Sequence, residues 1–415
     1  PPYTPLSLDA VVGPQIGKNL KPIRLTPTHN WAKANGASFT ESGLWLRAEW
    51  YSKKSEKKWR ESVDREVISV RNSVGFCDVS TLGKIDIQGR DAQDFINKIY
   101  SNGFAKLPIG KVRYGLMLRE DGIVMDDGTT ARMSENHFIM TTTTINAESV
   151  YRHLEFCHQC LWPKMDVHLI STTDAWAQIA IAGPNSRKVI SKILDKEFDI
   201  SNEKFPFMSC KELTICGGIT ARLFRISFSG ELAYELSLPT QYASSFVSYL
   251  MKVGKEENII PYGTEALGVM RIEKGHAAGA ELNGTISALN LNMEKMVSPQ
   301  KDSIGMILSK REGLCLPDGL RLIGLKPINP KNQLISGSHL FNENENRTPE
   351  NDLGYVTSSC YSPTLKSFIA LAFLKNGTRR YGQKINVSNP ILKNETMAEI
   401  CNPIFVDPNG DRLRG

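Results

Sequence analysis

Helix-like and strand-like stretches mix along this chain without settling into a βαβ beat, which points to an α+β fold. From Trp59 to Arg71 apolar residues recur three to four apart, predicting a helix. Lys84–Gln88 alternates as a strand and turns at Gly89. Asp91 then stands where the cap of a helix through Tyr100 is expected, with Ala92, Phe95, Ile96 and Ile99 as its apolar stripe. Strands follow at Tyr114–Leu118, Ile123–Met125 and His137–Thr142, punctuated by Asp121-Gly122 and Asp127-Gly128. Asp-Gly is a turn signal because glycine accepts positive φ.

Further strands are predicted at Ala177–Ala182, Ala221–Ser227 and Ala233–Leu238, with a helical pattern from Gly183-Pro184 to Leu194. Gln241–Lys252 and Thr264–Lys274 also read as helices. Beyond about residue 307, short strand candidates separated by Pro, Gly and Asn turns imply a small antiparallel β unit. A chain of 415 residues exceeds one ordinary core, so two or three packed units are expected. Residues 1–50, rich in Pro, Gly and Trp and poor in periodicity, suggest an arm laid over the body.

Several function classes lose ground at once. The hydrophobic share of 41% is that of a globular chain, and no apolar run reaches the roughly 18–20 residues that span a bilayer. Pro1-Pro2-Tyr3 has neither the basic start nor the apolar stretch of a signal peptide. It also lacks an initiator Met, as expected for a trimmed chain or one cut from a longer polypeptide. The net charge of +6 is a mild excess with scattered basic residues, and Lys53-Lys54 with Lys57-Lys58 reads as a solvated face, not a nucleic-acid patch. Eight dispersed cysteines are expected as free thiols in a reducing cytoplasm. Cys157-x-x-Cys160, beside His153 and His158, lacks a second pair at ligand spacing, so no metal site is expected. Neither G-x-G-x-x-G after a strand, nor a P-loop, nor a G-x-S-x-G elbow occurs, which leaves no flavin, nicotinamide or nucleotide signature.

What remains is acidic residues in unusual settings. Asp126-Asp127 follows an apolar run, and alternation puts one carboxylate on each face of the strand end. A cleft-facing carboxylate there accepts hydrogen bonds from an amino-substituted heterocycle or holds a developing cation, while its neighbour raises its pKa. A plain hydrophilic turn is the alternative. Glu235 sits in an apolar strand and needs a partner, for which Arg225 is the candidate. Arg271 and Glu273, two apart on a helix, each require partners elsewhere.

Taken in order, these stretches resemble the aminomethyltransferase (glycine-cleavage T-protein) superfamily, and more closely the C-terminal half of the alpha subunits of heterotetrameric sarcosine oxidases. The resemblance is carried by Thr26-Pro27-x-His29-x-Trp31, Val70-Arg71-x-Ser73-Val74-Gly75, Asp78-Val79-Ser80-Thr81-Leu82-Gly83-Lys84 and Arg113-Tyr114-Gly115-Leu116-Met117. It continues through Asp121-Gly122-x-x-x-Asp126-Asp127-Gly128, Arg225 to Glu235, Pro261-Tyr262-Gly263-Thr264-Glu265 and Ser362-Pro363-Thr364-Leu365.

The resemblance implies a three-domain cloverleaf around a hole that holds tetrahydrofolate. Two interleaved α+β domains would occupy 51–306 and an antiparallel β-barrel 307–415. It further implies flavin-bearing partner subunits and an N-terminal dinucleotide-binding half. Those would oxidise an N-methyl amino acid to an imine, from which 5,10-methylenetetrahydrofolate forms here. By position, Asp127 matches the acidic residue near the reacting folate nitrogens, Tyr114 an aromatic residue of the pterin cleft, and Glu235 a carboxylate bonded to the pterin. Arg225, beside Glu235, completes the expected cofactor-binding set. The family segment G-Q-D-T-D-G-T reads Gly279-Ala280-Glu281-Leu282-Asn283-Gly284-Thr285, which changes residues expected to frame the cavity. Two rival readings follow: a stand-alone aminomethyl- or demethyltransferase, and a non-catalytic scaffold that has lost folate use.

Overall fold

The computed structural model describes residues 23–195 and 198–415, together with Ala10. Only the latter part of the expected arm therefore lies within the described residues, and it is not irregular. It holds β1 (Arg24–Leu25), α1 (His29–Ala34), β2 (Ala37–Ser42) and β3 (Trp45–Tyr51), a sheet in the order β1-β3-β2. Strands β2 and β3 are half-covered along most of their length, so they lack the in–out alternation that would reveal them in the sequence.

Helix α2 (Trp59–Asn72) buries Val63, Val67 and Val70 at the expected spacing. β4 (Gly75–Asp78) and β5 (Gly83–Gln88) precede α3 (Ala92–Ile99), whose buried stripe is the predicted one. Asp91 differs from expectation. Its side chain makes no cap bond and instead accepts from the Asp166 backbone N–H at 2.8 Å. β6 (Val112–Leu118), β7 (Val124–Ser134), β8 (His137–Thr142), α4 (Ala147–Phe156) and β9 (His168–Ser171) complete a five-stranded sheet, β6-β7-β8-β5-β9.

β10 (Trp176–Ala182), α5 (Ser186–Ser191), β11 (Cys210–Ile215), β12 (Ile219–Phe224), β13 (Ala233–Pro239), α6 (Ala243–Val253), β14 (Ile260–Pro261) and α7 (Thr264–Lys274) follow. They form a six-stranded sheet, β11-β12-β13-β10-β4-β14. β4 precedes the five-stranded sheet in sequence yet lies between β10 and β14, so the chain leaves this sheet, builds the other and returns. The mixed order of helices and strands in the sequence reflects that excursion.

β15 (Leu320–Pro327), β16 (His339–Phe341), β17 (Gly354–Ser362), β18 (Ser367–Lys375), β19 (Lys384–Asn389) and β20 (Asn394–Cys401) close an antiparallel barrel, before a final short helix, α8 (Asp411–Arg414). Closure removes the open edges an isolated small sheet would expose. Among the described residues no helix is long and apolar enough to cross a membrane.

The predicted turn at Asp127-Gly128 is not there. β7 runs straight through it, because Gly128 sits where the Thr141 carbonyl comes within 2.0 Å of the place a Cβ would occupy. The glycine permits close approach of β8, not a reversal. Asp121-Gly122 does turn, with Gly122 at φ 84°.

Candidate functional site

Register fixes which side chains share the interior of the two larger sheets. Tyr114 pairs with Thr129 and Leu116 with Asp127, while Lys84 pairs with Thr141 and Asp86 with Ile139. Directly opposed residues project to the same side. Tyr114, Asp127, Thr129, Thr141, Lys84 and Asp86 therefore line one face of the five-stranded sheet. On the six-stranded sheet, Phe224 and Ala180 oppose Glu235, and Arg222 and Gln178 oppose Ser237, which defines a second face. The two faces meet. Arg222 reaches both carboxylate oxygens of Asp86 at 3.3 Å. Cys210, Phe224 and Ile226 pack with Val112, Ala131 and Ile139.

At one end of this junction the Tyr114 hydroxyl donates to Asp127 Oδ2 at 2.7 Å. The contact is diagonal across β6 and β7. Neither side chain is fully covered, although protein crowds both. Asp126 points the other way, as alternation requires. Its Oδ1 accepts from Thr143 Oγ1 at 2.6 Å and Asn146 Nδ2 at 3.0 Å, and its Oδ2 accepts from the Thr143 N–H at 3.2 Å.

The electrostatics follow from that geometry. Burial, and then the neighbouring charge of Asp126, push the Asp127 carboxyl up to about 7, against the bond from Tyr114. Burial and the Asp127 charge hold the Tyr114 phenol well above its ordinary range, so it remains a donor. Glu235 is 9% exposed and receives a hydrogen bond from Gln178 Nε2. Burial pushes it up to about 7, with Gln178 and the charge of Lys84 opposing.

Tyr114 and Asp127 are thus in contact, and Glu235 lies on the facing sheet. Arg225 does not join them. The strand expected through Ser227 ends at Phe224, and the Arg225 side chain turns to the opposite face, over the Tyr234 ring at 5.3 Å. Its guanidinium donates to Asn202 Oδ1 (3.0 Å), the Phe205 carbonyl (3.1 Å) and the Arg414 carbonyl (2.6 Å). The expected Arg225–Glu235 ion pair is therefore absent, because the two residues project from opposite sides of the sheet. Arg225 instead anchors the C-terminal segment.

Arg271 and Glu273 do find separate partners, Glu281 at 2.7 Å and Arg71 at 2.5 Å. Glu281 also accepts from Thr357 and Ser358, tying α7 to β17, so this carboxylate of the altered segment is committed within the protein. Cys157 lies 3.6 Å from His153 Nε2, but His158 turns to the Met165 carbonyl and Cys160 is exposed. No group of three or more potential metal ligands converges among the described residues. Two polar residues at the junction went without a role in the sequence reading, Lys84 and Gln178. The polar alternation Lys84-x-Asp86-x-Gln88 was the available signal for the first.

Residues 28–301 match the GCVT N-terminal domain, and 321–407 match the glycine cleavage T-protein C-terminal barrel domain. The chain belongs to the glycine cleavage T-protein family. The sarcosine oxidase subunit alpha of Rhizobium meliloti (strain 1021) is 52% identical over all 415 residues, which span 42% of that protein. An aminomethyltransferase of Geobacillus sp. (strain WCH70) is 30% identical over 76% of this chain and 82% of its own length. The crystal structure of aminomethyltransferase T from Bartonella henselae superposes with a TM-score of 0.78 at 20% identity, covering 92% of this chain and 98% of that one, a likeness of fold. The chain thus corresponds to the T-protein-like portion of the sarcosine oxidase alpha subunits and spans under half their length.

Proposed function

We propose that this chain is the tetrahydrofolate-binding, one-carbon transfer unit of a sarcosine oxidase-like flavoenzyme complex. In this reading an imine, made by oxidation of an N-methyl amino acid elsewhere in the complex, gives its one-carbon unit to tetrahydrofolate here, so that 5,10-methylenetetrahydrofolate forms and the demethylated amine is released. The observation that carries the reading is the hydrogen-bonded, incompletely covered Tyr114–Asp127 pair on a sheet face that meets the face bearing Glu235. The available groups fit a reduced pterin. Asp127 accepts from Tyr114 through Oδ2, and Glu235 takes one donor from Gln178, so both retain acceptor capacity for an N–H-rich heterocycle. The relatives named sarcosine oxidase subunit alpha, of which this chain spans under half, supply the context of a longer polypeptide that is one subunit of an oxidase.

Reduced folate supplies the nitrogen nucleophiles that carry the one-carbon unit. The protein's part is positioning and charge. Tyr114 restrains the rotation of the Asp127 carboxylate by donating to Oδ2. An ionised Asp127 stabilises the positive charge that develops on the folate nitrogen as it attacks the imine. Because burial and Asp126 bring its pKa to about 7, Asp127 also takes up and returns a proton near neutral pH. The crowded, poorly solvated setting strengthens both effects, and orientation supplies the rest of the rate.

The test is Asp127→Asn in the assembled complex. Methylenetetrahydrofolate formation is expected to fall by about 100-fold or more, while amine oxidation is spared. Equal loss of both activities would assign Asp127 to the structure alone.

A further inference from the structure

The chain that follows α7, residues 275–288, forms neither a helix nor a strand, yet it touches both larger sheets and the barrel. At its start the His276 ring stacks on Phe228, with centroids 5.7 Å apart, and its Nδ1 lies 3.0 Å from the Phe228 carbonyl. Phe228 belongs to the connection between β12 and β13, and β13 carries Glu235. At its other end the Ile286 carbonyl accepts from the Val124 N–H at 2.9 Å, the Gly284 carbonyl accepts from Arg119 Nη1 at 3.1 Å, and Ser287 pairs with Ile123. Those partners form the turn between β6 and β7, the strands that carry Tyr114 and Asp127.

Between the two ends sits Glu281, which has no exposed surface. Its Oε1 accepts from Thr357 Oγ1 and, at 2.6 Å, from Ser358 Oγ; its Oε2 accepts from Arg271 Nη1 at 2.7 Å and from the Ala278 N–H at 3.0 Å. Four donors and a guanidinium satisfy the carboxylate without water. The barrel is shaped for this contact. A regular strand sends consecutive side chains to opposite faces, but the register of β17 shifts between Val356 and Ser358, and Thr357 and Ser358 both reach one carboxylate. Arg271 also donates to the His276 carbonyl at 3.3 Å, so Glu281 and the start of the segment share one guanidinium. We infer that Glu281 is a positioning residue for one-carbon transfer. Locked to the β17 bulge and to Arg271, it holds residues 276–287 as a brace that fixes the Tyr114–Asp127 strands relative to the connection leading to Glu235. This rests on the folate reading above and adds what keeps the two sheet faces in register; Glu281 acts through the segment and not on the ligand.

Glu281→Gln keeps the volume of the side chain and an oxygen for Thr357 and Ser358, but it turns an amide NH2 toward Arg271 and the Ala278 N–H, donor against donor. The experiment compares the wild type, Glu281→Gln and Val387→Ala in the assembled complex. Val387 is buried in the barrel core, so its truncation is a control for loss of stability alone. Measured are the tetrahydrofolate KM of one-carbon transfer, the rate of amine oxidation, the urea midpoint, and hydrogen exchange at Val124 and over residues 226–232. Glu281→Gln is expected to raise the tetrahydrofolate KM about tenfold, to leave amine oxidation unchanged, and to speed exchange at both places. Val387→Ala is expected to lower the urea midpoint while KM and exchange at both places stay at wild-type values.

A folded Glu281→Gln protein with the wild-type KM would overturn the inference. So would faster exchange at only one of the two places, or an equal rise of KM in Val387→Ala. If Glu281→Gln does not fold, Ser358→Ala decides, because it removes one of the four donors and leaves three. It is expected to raise the KM about threefold with faster exchange at both places, and an unchanged KM refutes the brace. A wild type that neither binds tetrahydrofolate nor forms methylenetetrahydrofolate would sink the folate reading instead. The exchange at Val124 and over 226–232 in Glu281→Gln would then still decide whether the brace exists.

Discussion

Replacing Asp127 by asparagine separates the electrostatic strain of the site from its chemistry. The folded carboxyl titrates at about 7, against an ordinary value of 3.8. A group whose pKa is raised by folding favours the native state while it is protonated, and that advantage is lost as pH rises through the folded value. Relative to a neutral side chain, the raised pKa therefore destabilises the unliganded fold by about 4 kcal/mol at pH 8, where the carboxyl is ionised, and by about 2 kcal/mol at pH 5, where folding must keep it protonated. Asparagine keeps an oxygen for the Tyr114 hydroxyl and carries no charge. Asp127→Asn is expected to melt on the order of 5 °C above the wild type at pH 8 in the absence of folate, with roughly half that gain at pH 5. The assay is thermal unfolding at matched ionic strength across that range. A variant no more stable than the wild type at pH 8, or a gain that grows on acidification, would refute the electrostatic reasoning. The same substitution is expected to remove one-carbon transfer, so stability and function would move in opposite directions.

Two further substitutions test the frame around the site. Gly128→Ala would drive a methyl group to within 2.0 Å of the Thr141 carbonyl. It is expected to cost about 1–3 kcal/mol in urea unfolding, or more if β7 and β8 separate, and an unchanged midpoint would mean that the strands can part freely. Arg225→Met leaves the Asn202, Phe205 and Arg414 oxygens without their donor, which predicts a loss of about 3 kcal/mol in stability. Folate affinity of the folded variant should be unchanged, and weaker binding at full stability would return Arg225 to the site.

The sequence was legible where one physical rule governs a segment. Val63, Val67 and Val70 announced α2, Thr264–Lys274 matches α7 residue for residue, and the short strands beyond 307 close the barrel. It misled where tertiary contact overrides local preference. Asp127-Gly128 has the composition of a turn, yet the glycine serves the approach of β8 to β7. Asp91 has the composition of a cap, yet it is taken by the Asp166 N–H. β1 to β3 escaped notice because half-covered strands do not alternate.

The site itself divides along the same line. That Asp126 and Asp127 point apart follows from the period of a strand, and the structure adds Tyr114 as the second member of the pair. The partner of Glu235 could not be read from nearby sequence. Arg225 is ten residues away but on the wrong face, whereas Gln178 comes from a distant strand.

The central proposal is that a reduced folate binds beside Tyr114, Asp127 and Glu235. Anaerobic calorimetric titration of tetrahydrofolate into the assembled protein tests it directly. The account expects saturable binding at one site per chain, weakened in Glu235→Gln while the variant remains folded. No heat of binding up to millimolar ligand, or equal affinity in wild type and Glu235→Gln, would contradict it.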